Sequence, residues 1–197
     1  MTMVILFFIC TMLMAFSYGD LNLKPLLRPN LPSGEYKLIF RAVYRCNPTS
    51  TNETINANIH LSKMSSRTTA YVGNITLLEP ITDDLDFNVN MAIMDKIGGW
   101  KDNAYVYSTK KGCKTALHLL GDTANVFFNT DKMKCPIEKG VYKIQYDTKN
   151  FEKSNLPKIF FYGKYKFKWY FTNDRKQIKG CNVAVMDLVR PWEIDGT

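Results

Sequence analysis

Asp84-Leu85-Asp86-Phe87-Asn88-Val89-Asn90-Met91-Ala92-Ile93-Met94 alternates apolar and polar side chains along most of its length. Leu85, Phe87, Val89, Met91 and Ile93 fall on one side of an extended chain, and Asp84, Asp86, Asn88 and Asn90 on the other. A period of two is what a β-strand needs when one face meets a core and the other meets water. Working outward from this stretch, the same pattern recurs. In residues 34–46, Tyr36, Leu38, Phe40, Ala42, Tyr44 and Cys46 share a face; Glu35, Lys37, Arg41 and Arg45 share the other, with Ile39 and Val43 among them. Residues 54–61 set Ile55, Ala57, Ile59 and Leu61 against Thr54, Asn56, Asn58 and His60. Residues 68–78 are rich in β-branched side chains, and residues 100–108 form a further strand after Gly98-Gly99. Strands resume at 141–146, 164–172 and 178–189, with Asn173-Asp174 as the turn of a hairpin joining the last two.

The alternation breaks once. Between Cys113 and Phe128, Leu117, Leu120, Ala124, Val126 and Phe127 fit a helical stripe, and Gly121 ends or interrupts it. Some eight strands and one helix, without an internal repeat or a linker, imply one all-β sandwich or barrel.

The N-terminus sets the compartment. Residues 1–16 carry no charged side chain, and Ser17-Tyr18-Gly19 places small residues at the first and third positions before Asp20. This is the pattern of a secretory signal peptide, residues 1–19, cleaved after Gly19 and leaving one domain over 20–197. The alternative is an uncleaved signal anchor, but no basic stop-transfer cluster follows. Residues 20–33 hold Pro25, Pro29 and Pro32 and read as an extended lead-in. Of 5 Cys, Cys10 leaves with the signal. Cys46, Cys113, Cys135 and Cys181 remain, an even count that suggests two disulfides with three possible pairings. Asn52-Glu53-Thr54 and Asn74-Ile75-Thr76 are glycosylation sequons. If Asn74 carries sugar it faces solvent, which turns Tyr71, Ile75 and Leu77 inward.

The net charge is +8. In a secreted chain that charge points to anionic membranes or acidic head groups rather than to nucleic acid. No Gly-x-Ser-x-Gly elbow, His-Glu-x-x-His pair or Walker loop is present, so nothing points to an enzyme or a cofactor. His60 falls on a polar strand face and His118 in the helix. Asp83, Asp84 and Asp86 read as a polar turn entering a strand rather than as calcium ligands. The cysteines are too widely spaced for a zinc knuckle, and no metal site is expected.

The stretch from Leu156 to Phe171 is the most informative. Lys164, Lys166 and Lys168 alternate with Tyr165, Phe167, Trp169 and Phe171, a basic face opposite an aromatic one. Just before them, Ile159-Phe160-Phe161-Tyr162 is apolar without alternation, bounded by Pro157-Lys158 and Gly163. It is either a loop offering apolar surface to a lipid or ligand, or a buried strand end.

Cys135-Pro136-Ile137-Glu138-Lys139-Gly140-Val141-Tyr142 resembles the Cys-Pro-x-x-x-Gly-x-Tyr element of the ganglioside-activator branch of the ML lipid-recognition family. The same order follows: a loop with Leu-Pro and bulky apolar residues, a Gly-x-Tyr strand, a polar hairpin, and Gly180-Cys181 in the last strand. Lys111-Gly112-Cys113 and the tail Arg190-Pro191-Trp192-Glu193 look closest to the insect CheB-type chemosensory branch. The resemblance covers roughly residues 34–189. It implies an immunoglobulin-like two-sheet sandwich splayed into a cup around an apolar cavity. It implies Cys46 paired with Cys181 and Cys113 with Cys135, and Ile159, Phe160, Phe161 and Tyr162 at an apolar mouth. Phe87, Val89, Met91, Phe167 and Trp169 are candidates for the cavity wall. The implied function is non-enzymatic binding of a lipid or hydrocarbon ligand in contact chemosensation at gustatory sensilla, alongside an ion-channel receptor. The alternative is a lysosomal activator that presents glycolipid to a hydrolase. The activator carries eight cysteines where this mature chain has four, which leaves the mouth geometry open.

Overall fold

The computed structural model describes residues 31–47, 52–65 and 68–193; the signal sequence and Cys10 lie outside them. Within the described residues the strands are β1 (Ser33–Gly34), β2 (Lys37–Arg45), β3 (Ile55–Lys63), β4 (Thr69–Leu77), β5 (Asp86–Met94), β6 (Trp100–Thr109), β7 (Gly140–Asp147), β8 (Phe160–Phe161), β9 (Gly163–Thr172) and β10 (Ile178–Val189). Every pairing is antiparallel. One sheet has the order β2-β10-β9-β5-β6, the second β3-β4-β7, and β1 with β8 forms a two-stranded ribbon. The architecture is the expected all-β two-sheet sandwich, opened around a cavity. The eight longer strands are those the alternation marks; β1 and β8 are the additions.

The opening stretch shows why the sheets pack. Phe87, Val89 and Met91 are buried in the core, as are Tyr165 and Phe171 of β9 and Ala184, Met186 and Leu188 of β10. From the other sheet come Ile55, Ala57, Tyr71, Ile75, Leu77, Ile144 and Tyr146. Asn74 is exposed while Tyr71, Ile75 and Leu77 are buried. The outward face of β5 is tied rather than apolar: Asn88 donates to Thr172 Oγ1 and accepts from Ser108 Oγ.

Two sequence readings need correction. The faces assigned to residues 34–46 hold only as far as Phe40. Met186 pairs with Phe40 but Val185 pairs with Ala42, so Arg41 is an extra residue bulged out of the ladder. Its Nε donates to Asp187 at 2.7 Å on the outer face. The bulge reverses the alternation: Leu38 and Phe40 face inward, then Val43 does, and Tyr44 is 43% exposed. The single helix is two: α1 (Gly112–Leu120) and α2 (Thr123–Phe127). Gly121, at φ 56°, sends its N–H back to the Leu117 and His118 carbonyls and ends α1. The reset tips Val126 outward, to 47% exposed.

Candidate ligand cavity

Between the sheets lies a cavity of about 210 Å³. Leu38, Phe40 and Val43 of β2, Phe167, Trp169 and Phe171 of β9, and Gly180, Asn182, Ala184 and Met186 of β10 wall one side. Ile55, Ala57, Ile59, Tyr71 and Ile75 wall the other. The helices close an end, with Ala116, Leu117, Leu119 and Leu120 from α1 and Phe127 from α2, joined by Phe128, Phe151 and Leu156. The alternating residues of β10 run inward for six strand steps, about 20 Å at ~3.4 Å per residue, so the cavity is elongated along the strands.

Two disulfides frame this space. Cys46–Cys181 joins the end of β2 to β10, and Cys113–Cys135 holds α1 to the loop before β7. These are the pairs the resemblance implies. The first ties neighbouring strands of one sheet, and the second ties the helix that closes the cavity to the loop before β7. A void of this size is uncommon, since interiors pack like organic crystals.

The candidate wall residues divide. Phe87, Phe167 and Trp169 line the cavity. Val89 and Met91 face the same way but sit in the packed core, 3% and 7% exposed. Their cross-strand neighbours are Trp169 and Tyr107 for Val89, and Phe167 and Tyr105 for Met91. Much of the wall comes from β2, β3 and α1, where sequence patterning marks a core face without separating wall from filler.

The apolar run before β9 is neither an open loop nor a buried strand end. Phe161 and Phe160 pair with Ser33 and Gly34. Ile159 and Phe161 point to solvent, 65% and 58% exposed. Phe160 packs edge-on against Tyr105 and Tyr165. Tyr162 is held from three sides: its N–H donates to Pro32, its hydroxyl to the Glu35 carbonyl at 3.0 Å, and Arg190 lies over its ring. None of Ile159, Phe160, Phe161 and Tyr162 is part of the cavity lining. Among the described residues the segment pairs with the two-residue β1 and with neither of the larger sheets.

Other candidates take plain roles. Asp83 accepts from the Lys114 N–H at 2.9 Å and pairs with its ammonium at 2.9 Å. The Lys114 backbone hydrogen bond, ahead of the side-chain one, holds that carboxyl below its ordinary range. Asp86 pairs with Lys176. His60 and His118 are exposed, as are Asn52 and Asn74. The basic row is partly occupied: Lys166 lies over Trp100 and Lys168 over Tyr170. Among the described residues no group of three or more His, Cys, Asp or Glu could hold a metal, and no helix is long and apolar enough to cross a membrane.

No family model matches this chain, and no curated protein does. Among solved structures it is similar to chicken MD-1 complexed with lipid IVa, with a TM-score of 0.36 and 12% identity, over 80% of this chain and 97% of that one.

Proposed function

We propose that this chain is a secreted, non-enzymatic binder of lipid or hydrocarbon-like ligands, held between the two sheets. The observation that carries the reading is the cavity itself: about 210 Å³, walled almost wholly by aliphatic and aromatic side chains. An apolar cavity of ~150 Å³ already stays dry and takes up benzene. A chain entering this one exchanges water for hydrocarbon at about 0.8 kcal/mol per CH₂. The motif order shared with the CheB-type branch favours contact chemosensation in sensillum fluid, ahead of a lysosomal glycolipid activator. Lys37, Lys164 and the rest of the outer basic face would draw the protein toward anionic surfaces.

Native mass spectrometry of the protein secreted from insect cells tests the reading. The expected result is an adduct of a few hundred daltons, released by organic extraction, and displacement of a bound N-phenylnaphthylamine probe by long-chain compounds. Ala116 is a half-buried wall residue of α1. Ala116→Phe places a ring in the cavity and should weaken probe binding at least tenfold while the circular dichroism stays that of a β-protein. A protein that takes up neither probe nor lipid has a closed core and is a structural or receptor-binding module instead. Expression confined to taste-hair support cells supports the chemosensory reading; a broad lysosomal distribution supports the activator.

A further inference from the structure

One wall residue carries a full amide into this mostly apolar pocket. Asn182 lies on the inward row of β10, between Gly180 and Ala184, which line the cavity with it. It is 6% exposed, yet its side-chain amide makes no hydrogen bond to any described residue. Its cross-strand neighbours do not supply one. Arg45, opposite it on β2, donates to Glu53 Oε2 at 2.9 Å, and Glu53 is itself 6% exposed. Trp169, opposite it on β9, carries an indole N–H but makes no hydrogen bond to the amide. A buried amide without partners is costly, and apolar ligand packed against it would deepen that cost.

We propose that Asn182 is a ligand-binding residue and that the ligand is a neutral long-chain compound with an oxygen function near one end: an alcohol, aldehyde, methyl ketone or ester. The amide supplies two donors and an acceptor, so it serves either a hydroxyl or a carbonyl. The group is neutral because Arg45 is already matched by Glu53 and the surrounding wall is apolar. The oxygen is near an end because Asn182 stands only two residues, roughly 7 Å, from Gly180, where Ile55 closes against β10. The hydrocarbon tail then runs the other way, toward Met186 and Leu38. This inference rests on the proposed function, and names the chemistry its ligand carries.

Dodecane, dodecanol and the twelve-carbon methyl ketone, each displacing N-phenylnaphthylamine, form the test. Replacing Asn182 with leucine keeps the volume and removes the polar group. The ratio of dodecanol to dodecane affinity should fall about tenfold in Asn182→Leu, the size of an unmet buried hydrogen bond. Tyr107→Phe, which removes an exposed hydroxyl outside the cavity lining, should leave the ratio unchanged. Bound to the unmodified protein, the ketone's carbonyl stretch should lie below its value in hexane. A ratio unaltered in folded Asn182→Leu, a ratio that moves equally with Tyr107→Phe, or a hexane-like stretch overturns the proposal. The infrared reading stands even if the leucine variant does not fold. If none of the three compounds displaces the probe, the ligand-binding reading fails too; equal behaviour of alkane and alcohol in both proteins overturns the Asn182 assignment alone.

Discussion

At the scale of single residues, two side-chain-poor positions set how closely backbone segments approach. A β-carbon on Gly180 would meet the Ile55 Cβ and carbonyl oxygen, both closer than real contacts allow. On Gly112 it would meet the Leu85 carbonyl, to which the Gly112 N–H donates at 2.7 Å. Gly180 therefore fixes how tightly β3 and β10 close the end of the cavity. Gly180→Ala should cost about 1–3 kcal/mol, as overpacking does, read as a lower urea midpoint with an unchanged slope. A variant as stable as the parent would show that the two strands can separate there. In the sequence both glycines stand in short motifs, Lys111-Gly112-Cys113 and Gly180-Cys181, that do not say what they approach. Their contacts lie far along the chain, 125 residues away for Ile55, and no local signal carries that.

At the scale of elements, the disulfides do unequal work. Cys46–Cys181 closes 135 residues, and Cys113–Cys135 closes 22. Chain entropy makes the first worth about 5 kcal/mol and the second about 3. The Cys46→Ser/Cys181→Ser pair should thus lower the melting temperature more than Cys113→Ser/Cys135→Ser. The reverse order would mean that native contacts around α1, rather than unfolded-state entropy, dominate. β6 shows what the strand pattern leaves out. Its alternation is real, yet Tyr105, Val106 and Tyr107 are all well exposed. It is the outer strand of a five-stranded sheet facing one of three strands, so no opposing strand covers it. Likewise the Arg41 bulge turned half a strand over without any mark in the composition, because it answers to register with β10.

At the scale of the whole molecule, the tyrosines report the packed state. Burial pushes Tyr146 up to about 12, with Asp147 adding to the shift. Burial also raises Tyr36, Tyr71, Tyr142 and Tyr165, with Tyr146 adding to the shift at Tyr71 and Glu138 at Tyr142. The folded chain keeps these phenols neutral where the unfolded chain would lose protons. Their stabilising contribution is complete below the ordinary tyrosine value of 10 and is lost as pH climbs through each raised value, about 12 for Tyr146. The melting temperature should therefore fall steeply above pH 10, and tyrosinate absorbance should rise in a late step that coincides with unfolding. A single early ionisation of all tyrosines would mean that the core admits water.

The sequence by itself determined the fold class, the strand positions to within a few residues and the inward faces of β3, β4, β5 and β9. Those follow from a period-two pattern, which is local and survives reading one residue at a time. The disulfide partners came through resemblance, since spacing alone left three pairings. The tertiary structure decided the rest: which apolar faces meet in a filled core and which meet across a void, where Arg41 reverses β2, and that Phe160 and Phe161 pair with β1 rather than edge the cavity. It also decided that Asn182, an unremarkable polar residue in an apolar strand, faces inward with no hydrogen-bond partner among the described residues. Patterning records which side of a strand avoids water. Whether that side meets another side chain or an empty space depends on elements more than a hundred residues away, and only folding brings them together.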